Sequence, residues 1–257
     1  MDTRRLHLLL RTLMALCVAG LLLSARALIS GNREYAQGDA AYEQIRRQRN
    51  QQQADPAADM PPDEAAGVDF AALRQINPEV VAWLAAQGSA LDYPVVQGAD
   101  NDYYLTHLFT GEQNKLGCLF ADYRGSSDFS DKNTVIYGHN MKDGSMFASL
   151  TNYREQGYYD SYPSMRLYTP KGGYTLELFA GVVADGADDF VRLGFNDDAD
   201  FLAYIDALKA KSTFKSDVLV QGQDRIVTLF TCSYDFSNAR YALFGKLTPK
   251  AEPTQSP

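Results

Sequence analysis

Three residues of the chain could together carry out nucleophilic chemistry. Cys232 ends the apolar segment 226–232 and is followed by polar residues, which predicts a thiol at a strand end rather than inside a core. His139 follows a similar segment at 134–138, and Arg240 opens the last apolar segment, eight residues after Cys232. Together they would supply a nucleophile, a proton carrier and a fixed positive charge.

Each of the three residues also has an ordinary structural alternative. A cysteine in a strand is usually an inert buried residue, and a lone histidine is more often a hydrogen-bonding group. An arginine at the start of a strand is most often a surface charge. From residue types and spacing alone, the trio is therefore a hypothesis.

The other two cysteines, Cys17 and Cys118, are too few and too scattered for a disulfide framework. A disulfide between Cys118 and Cys232 is an alternative that spacing cannot test. No pair of cysteines or cluster of cysteine and histidine has the spacing of a zinc site, and we predict no cofactor and no metal. The expectation is one free, reactive thiol.

The overall composition is that of a globular protein and argues against one class of partner. The 257 residues are 46% hydrophobic, and 24 basic residues face 32 acidic ones, for a net charge of -8. A protein that binds nucleic acid through phosphates needs clustered positive charge. Nucleic acid is therefore not an expected partner.

Residues 1–31 have the pattern of an export signal or membrane anchor. Residues 12–25 are uncharged and mostly apolar, and Arg4, Arg5 and Arg11 precede them. As a helix, fourteen residues rise only about 21 Å against a hydrocarbon core of roughly 30 Å, which favours a cleaved signal peptide. Apolar residues on both sides extend the run, so a retained anchor is the equal alternative.

Residues 32–67 are poor in apolar side chains and predict a polar tether whose first half could form an exposed helix. The basic cluster at 46–49 is interpreted as a solvated helix face, with contact to anionic lipid headgroups as the alternative.

The compact domain predicted over 68–257 begins with helical periodicity and continues with strands. Apolar residues recur at three- and four-residue steps from Phe70 to Leu84, which predicts one or two helices broken at Asn77 and Pro78. Short β-branched and aromatic runs separated by turn residues then indicate a β-barrel or sandwich. One amphipathic helix is predicted at 198–211, with acidic residues in its first turn.

Two segments that carry the candidate residues resemble motifs of a known family. Segment 228–232, Thr-Leu-Phe-Thr-Cys, resembles the Thr-Leu-x-Thr-Cys motif of sortases. Segment 137–147, Tyr-Gly-His-Asn-Met-Lys-Asp-Gly-Ser-Met-Phe, is similar to the histidine segment of class B sortases. The resemblance covers about 68–247. Further matches to the N-terminal part of that class lie at 76–84, 92–97 and 101–105.

The resemblance implies a fold and an activity. The fold is mainly β, a closed sortase barrel of about eight strands with N-terminal helices and a helix in the connection before the cysteine-bearing strand. The activity is cysteine transpeptidation, in which Cys232 attacks the carbonyl after Thr in a C-terminal sorting signal. His139 would then move protons, and Arg240 would hold the substrate and stabilise the oxyanion.

The resemblance also implies partners and a location. The expected partners are surface proteins with a Pro-x-Thr-type signal and an amine of a peptidoglycan precursor or pilin. The expected location is the cell membrane, with a single pass, a cytoplasmic N-terminus and an extracellular catalytic domain.

Substrate-binding positions carry over only where the motifs align. Asn101 and Leu105 match the Asn-x-x-x-Leu pair that lines the class B groove, and Thr231 precedes the nucleophile. Phe230 departs from the family, because a small Ser is common at that position. Its ring would either narrow the groove or face the core.

Two other functions are open alternatives. One is a cysteine peptidase that only hydrolyses its substrate, although the order of His139 before Cys232 is opposite to that of papain-like enzymes. The other is a non-catalytic, surface-displayed binding module that keeps the barrel.

Overall fold

The computed structural model describes residues 3–52, 68–186, 191–233, 235 and 237–250. Eight strands close into one barrel. Their bounds are β1 Val80–Ala85, β2 Asp92–Val96, β3 Leu119–Ala121, β4 Asn133–Tyr137, β5 Ser164–Thr169, β6 Gly172–Asp185, β7 Ile226–Cys232 and β8 Ala239–Pro249.

The described residues also include four α-helices and two 3-10 helices. The α-helices are α1 Thr3–Gln52, α2 Phe70–Ile76, α3 Gln156–Ser161 and α4 Asp198–Lys211. The 3-10 helices span Tyr103–Leu105 and Ala148–Arg154.

Two parallel pairings distinguish this barrel from a simple meander. The strands follow the order β1-β2-β3-β4-β7-β8-β6-β5, and β5 pairs with β1 to close the barrel. The pairs β2–β3 and β4–β7 are parallel, whereas the others are antiparallel. Parallel neighbours end at the same edge of a sheet, so the residues that follow β4 and β7 lie together. The predicted closed barrel of about eight strands is confirmed.

The helical prediction for residues 70–84 is only half correct. Asp69 caps α2 by accepting a hydrogen bond from the Ala72 amide, and α2 ends at Ile76. Val80–Ala85 is instead strand β1, paired with β2 and β5. Both faces of β1 are largely buried, so its sequence is a nearly continuous apolar run that does not show a strand period.

The predicted helix at 198–211 is confirmed as α4, in the connection between β6 and β7. Asp197 caps it by accepting from the Asp200 amide. The apolar face of α4 covers the outside of the barrel, where Phe201 and Ile205 pack with Phe179 and Phe244 in a second hydrophobic cluster. Helix α4 therefore packs on the strands that carry Phe179 and Phe244, β6 and β8.

The C-terminal part of α1 packs on the barrel, although the sequence placed it in a polar tether. Tyr42 and Ile45 are buried in the main core, with 2% and 3% of their surface exposed. The Tyr42 hydroxyl donates a hydrogen bond of 2.6 Å to the Gly117 carbonyl. The remainder of the predicted tether, residues 53–67, lies outside the described residues.

Two arginines of the basic cluster contact the barrel rather than solvent alone. The Arg49 guanidinium pairs with Asp92, at 2.5 Å between Nη1 and Oδ1, and lies 4.9 Å above the Trp83 ring. Arg46 lies 5.1 Å above the Tyr93 ring. These cation–π contacts fix α1 against strands β1 and β2.

The predicted single-pass membrane location is wrong. No helix in the described part of the chain is long and apolar enough to cross a membrane. The uncharged run at 12–25 rises only about 21 Å as a helix between Arg11 and Arg26, short of a hydrocarbon core of roughly 30 Å.

Replacing Tyr42 by Phe should weaken the docking of α1. The substitution leaves the buried Gly117 carbonyl and the Phe109 amide, which also bonds the Tyr42 hydroxyl, without this partner. We expect the free energy of unfolding to fall by about 1–2 kcal/mol, measured by urea titration. Tyr35→Phe is the matched control on the same helix, because the Tyr35 ring rather than its hydroxyl contacts the Lys115 ammonium. Equal stability of the Tyr42 variant and the parent would contradict this account.

Candidate active site

Cys232 and Arg240 face each other across the β7–β8 hairpin. Cys232 is the last residue of β7 and is exposed, and it pairs with Arg240 in the antiparallel register. Cross-strand partners project to the same face with Cβ atoms about 4.5–5.5 Å apart. The Arg240 guanidinium is half-buried and donates to its neighbour's carbonyl, at 3.1 Å between Nη1 and the oxygen of Ala239. Thiol and guanidinium therefore share one edge of the barrel.

His139 reaches the same edge because β4 runs parallel to β7. On one side of it, Gly138 donates from its amide to the Phe230 carbonyl at 3.2 Å and accepts a hydrogen bond of 2.7 Å from the Thr231 hydroxyl. On the other side, the Asn140 amide nitrogen Nδ2 donates to the Cys232 carbonyl at 3.0 Å. Both neighbours of His139 are thus bonded to the end of β7.

A backbone carbonyl fixes the imidazole ring of His139. His139 Nε2 lies 2.7 Å from the carbonyl oxygen of Leu105. Because a carbonyl oxygen can only accept, Nε2 must carry the hydrogen. Nδ1 is then the nitrogen that can take up a second proton. The contact holds the ring in one tautomer and one orientation.

Gly117 allows the chain to pass close to this histidine. Its φ of +62° is in the left-handed region, and an added Cβ would lie 2.6 Å from the Tyr104 carbonyl and 3.2 Å from His139 Cδ2. The next residue, Cys118, donates its amide to the same Tyr104 carbonyl at 2.9 Å. Only glycine fits here without moving the segment that holds the ring.

Of the three predicted substrate-binding residues, one contacts His139 and a second bonds the residue before it. Leu105 contacts His139 through its carbonyl and exposes 36% of its surface. Thr231 is buried, and its hydroxyl joins β7 to the end of β4. Asn101 instead accepts a hydrogen bond of 3.2 Å from the Tyr123 amide. The substrate roles of all three stay predictions.

Phe230 belongs to the outer face of β7, two residues before the candidate nucleophile. It is partly buried and packs against the hydrophobic cluster under α4. Its ring lies 5.6 Å from the Tyr137 ring at an angle of 80°. This packing favours the core-facing alternative for the aromatic side chain.

The second thiol of the barrel has a different environment. Cys118 is 2% exposed, and burial raises the pKa of its thiol to about 12. Cys118 and Cys232 are both free thiols, so the alternative of a disulfide between them does not hold. Within the described ranges, no cluster of histidine, cysteine, aspartate and glutamate side chains is arranged to hold a metal ion.

Three groups that bond the trio or its neighbouring residues were not predicted from the sequence. Asn140 directly follows His139, so its position in the motif was a usable signal. The Leu105 carbonyl and Arg154, which bonds the residue after Cys232, gave no signal because they act through the fold.

Comparison with known proteins identifies the family. No protein-family model matches the sequence. The chain is 40% identical over 182 residues to Sortase B of Listeria monocytogenes, covering 69% of this chain and 73% of the relative. It is 34% identical over 180 residues to Sortase B of Staphylococcus aureus, covering 69% and 74%.

The chain belongs to the class B sortases. A solved Staphylococcus aureus sortase B-substrate complex superposes with a TM-score of 0.76 at 30% identity, covering 85% of this chain and all of the other. The sortase resemblance read from the motifs is confirmed, and the protein is a sortase-type transpeptidase.

Replacing Thr231 by Val should loosen the contact between the strand end that carries Cys232 and the strand end that precedes His139. The variant loses the hydrogen bond to Gly138 while keeping the side-chain volume. We expect kcat/KM on a sorting-signal peptide to fall by about tenfold to a hundredfold, because small displacements of catalytic groups are costly.

Thr228→Val is the matched control for this sortase. Thr228 lies on the same strand and loses a buried hydrogen bond, at 2.8 Å to Asn133 Oδ1, away from the site. It should lose similar stability but stay within about threefold of the parent's kcat/KM. Equal losses of kcat/KM in Thr231→Val and Thr228→Val would show that the loss of activity comes only from the lower stability of the fold.

Proposed function

We propose that this sortase cleaves a Pro-x-Thr-type sorting signal after Thr and transfers the acyl group to an amine of a peptidoglycan precursor or pilin. The observation that carries the proposal is the pairing of Cys232 with Arg240, beside the strand end that bears His139. A nucleophile, a fixed cation and a proton carrier thus border one edge of the barrel.

In the first half-reaction, the Cys232 sulfur attacks the carbonyl carbon of the signal's Thr. The Arg240 guanidinium stabilises the negative oxygen of the tetrahedral intermediate. His139, protonated on both nitrogens, gives a proton to the departing amine as the peptide bond breaks. The products are a thioester on Cys232 and the free C-terminal segment.

In the second half-reaction, the neutral His139 accepts a proton from the incoming amine. The amine nitrogen attacks the thioester carbonyl, a new amide bond forms and the carbon–sulfur bond breaks. The sulfur leaves as thiolate and His139 is again protonated, so the cycle closes without a cofactor. Water in place of the amine would give hydrolysis.

The positive charges also act before substrate binds. A free cysteine is only a few per cent thiolate at neutral pH. The thiolate is the attacking form of a cysteine, and His139 and Arg240 are the groups able to carry positive charge at the same edge of the barrel as the exposed Cys232. An exposed thiol at the same edge as two such groups supports an enzyme rather than a binding module that only keeps the barrel.

Asn101, Leu105 and Thr231 are the residues that we propose line the signal-binding groove. The substrate complex of the Staphylococcus aureus relative supports binding of a sorting signal by this fold. The resemblance to class B favours Asn-Pro-x-Thr as the first sequence to test.

The test uses the full-length chain with quenched Asn-Pro-x-Thr, Ser-Pro-x-Thr and Leu-Pro-x-Thr peptides, with and without an amine acceptor. We expect cleavage after Thr and an amine-linked product by mass spectrometry, both lost in Cys232→Ala. Cys17→Ser is the matched control, because it also removes an exposed thiol but should keep full activity.

The outcomes separate the candidate functions. Cleavage without amine-linked product would support the hydrolytic alternative. No cleavage of any peptide, together with a Cys232 that alkylates slowly, would support the binding module.

Replacing Arg240 by Lys should damage activity although the charge is retained. Lysine offers a point charge rather than the planar fork that can hold the substrate backbone and the oxyanion together. We expect kcat to fall by about a hundredfold in the peptide assay. Arg225→Lys, at the opposite end of β7, should stay near the parent. Normal turnover by Arg240→Lys would contradict the role of guanidinium geometry.

A further inference from the structure

Arg154 reaches the loop that follows the nucleophile. It ends the 3-10 helix Ala148–Arg154, and its Nη2 donates to the Ser233 hydroxyl oxygen at 2.6 Å. The same nitrogen forms an ion pair with the Asp235 carboxylate, which also accepts from the Ser233 hydroxyl. Arginine, serine and aspartate form one bonded cluster directly after Cys232.

The position of the Arg154 guanidinium is fixed by the residues beneath it. Its central carbon lies 5.5 Å from the centre of the buried Tyr241 ring. The Tyr241 hydroxyl is bonded to Thr213, at 2.9 Å, and Thr213 in turn donates to the Tyr153 carbonyl at 3.1 Å. Only 30% of the arginine side chain is exposed. These contacts therefore hold the guanidinium in one position, unlike that of an arginine on an open surface.

The β7–β8 hairpin that carries Asp235 also carries Arg240, five positions further along the chain. Asp235 lies in the loop whose closing strand pair is Cys232 and Arg240, and the Ser233 amide donates to the Ala239 carbonyl at 2.9 Å. Without Arg154 as its partner, the Asp235 carboxylate would be free to turn toward either residue. It would repel a thiolate and occupy the guanidinium.

Among the described residues, five segments contribute titratable groups at this end of β4, β6, β7 and β8. Arg240 makes no ion pair with any residue that the structure describes. The Asp185 carboxylate, at the end of β6, accepts from the Asn238 side chain at 2.8 Å. The groups are His139 after β4, Arg154 of the 3-10 helix, Asp185 of β6, Asp235 of the loop and Arg240 of β8.

We propose that Arg154 is a positioning residue that holds the Asp235 carboxylate away from Cys232 and Arg240. It keeps the Arg240 guanidinium available for the oxyanion and leaves the thiolate without a nearby negative charge. The inference rests on the proposed roles of Cys232 and Arg240.

The test measures the rate of alkylation of Cys232 by iodoacetamide against pH in the full-length chain, located by mass spectrometry. This readout needs no peptide substrate, so it is independent of the proposed sorting signal. In Arg154→Gln, we expect the midpoint of the pH profile to rise by about half a unit to one unit. Cleavage of any responsive peptide should fall about tenfold.

Removing the carboxylate should rescue the defect. The double variant Arg154→Gln with Asp235→Asn should return the alkylation midpoint to within about 0.2 units of the parent. Arg192→Gln is the matched control, because Arg192 also pairs with an aspartate, at 2.6 Å to Asp200, and lies 4.7 Å above the Phe195 ring. It should leave the profile unchanged.

Two results would overturn the proposal. An Arg154→Gln profile that matches the parent would show that the ion pair does not act on the thiol. A shifted profile that Asp235→Asn does not rescue would show a purely structural role. If Arg154→Gln does not fold, Arg154→Met takes its place, because it removes the charge but keeps an unbranched side chain over the Tyr241 ring.

Discussion

The parallel pairing of β4 with β7 is the constraint on which the rest of the site depends. Parallel strands end at the same edge, so the histidine after β4 and the cysteine at the end of β7 meet although 93 positions separate them. The antiparallel β8 then returns Arg240 to that edge. Strands β4 and β7 can pair in parallel because a long crossover connection joins them.

Hydrogen bonds to backbone carbonyls hold this edge together. Thr231 and Asn140 join the two strand ends, and the Leu105 carbonyl orients the His139 ring. These bonds link the candidate trio to segments for which no catalytic role is proposed. Helix α1 joins the same system, because Tyr42 bonds Gly117 beside the histidine.

Packing on aromatic rings, as well as ion pairing, positions the charged side chains at this edge of the barrel. Arg240 is cross-strand to the thiol, whereas Arg154 is seated on a buried tyrosine ring and holds the loop's aspartate. An arginine stacked on an aromatic ring keeps its planar donors in one place at a small entropic cost. The two guanidiniums thus have separate partners in one small region.

Much of the fold was predictable from local sequence, and so was the candidate trio, because the motifs around Cys232 and His139 lie in contiguous segments. The periodicity of α4 and the short β-branched runs also predicted elements correctly. Strand β1 was mistaken for a helix because both of its faces are buried and its apolar run lacks alternation. The membrane location was wrong for a different reason, namely the shortness of the apolar run.

The sequence by itself determined the barrel class, the family and the identity of a nucleophile, a histidine and an arginine that could act together. Only the tertiary structure decided which atoms touch: the Leu105 carbonyl on His139, Tyr42 on Gly117 and Arg154 on the loop after Cys232. These contacts join residues 34, 75 and 79 positions apart. A local pattern cannot encode such contacts, because they arise when barrel closure brings distant segments into hydrogen-bonding distance.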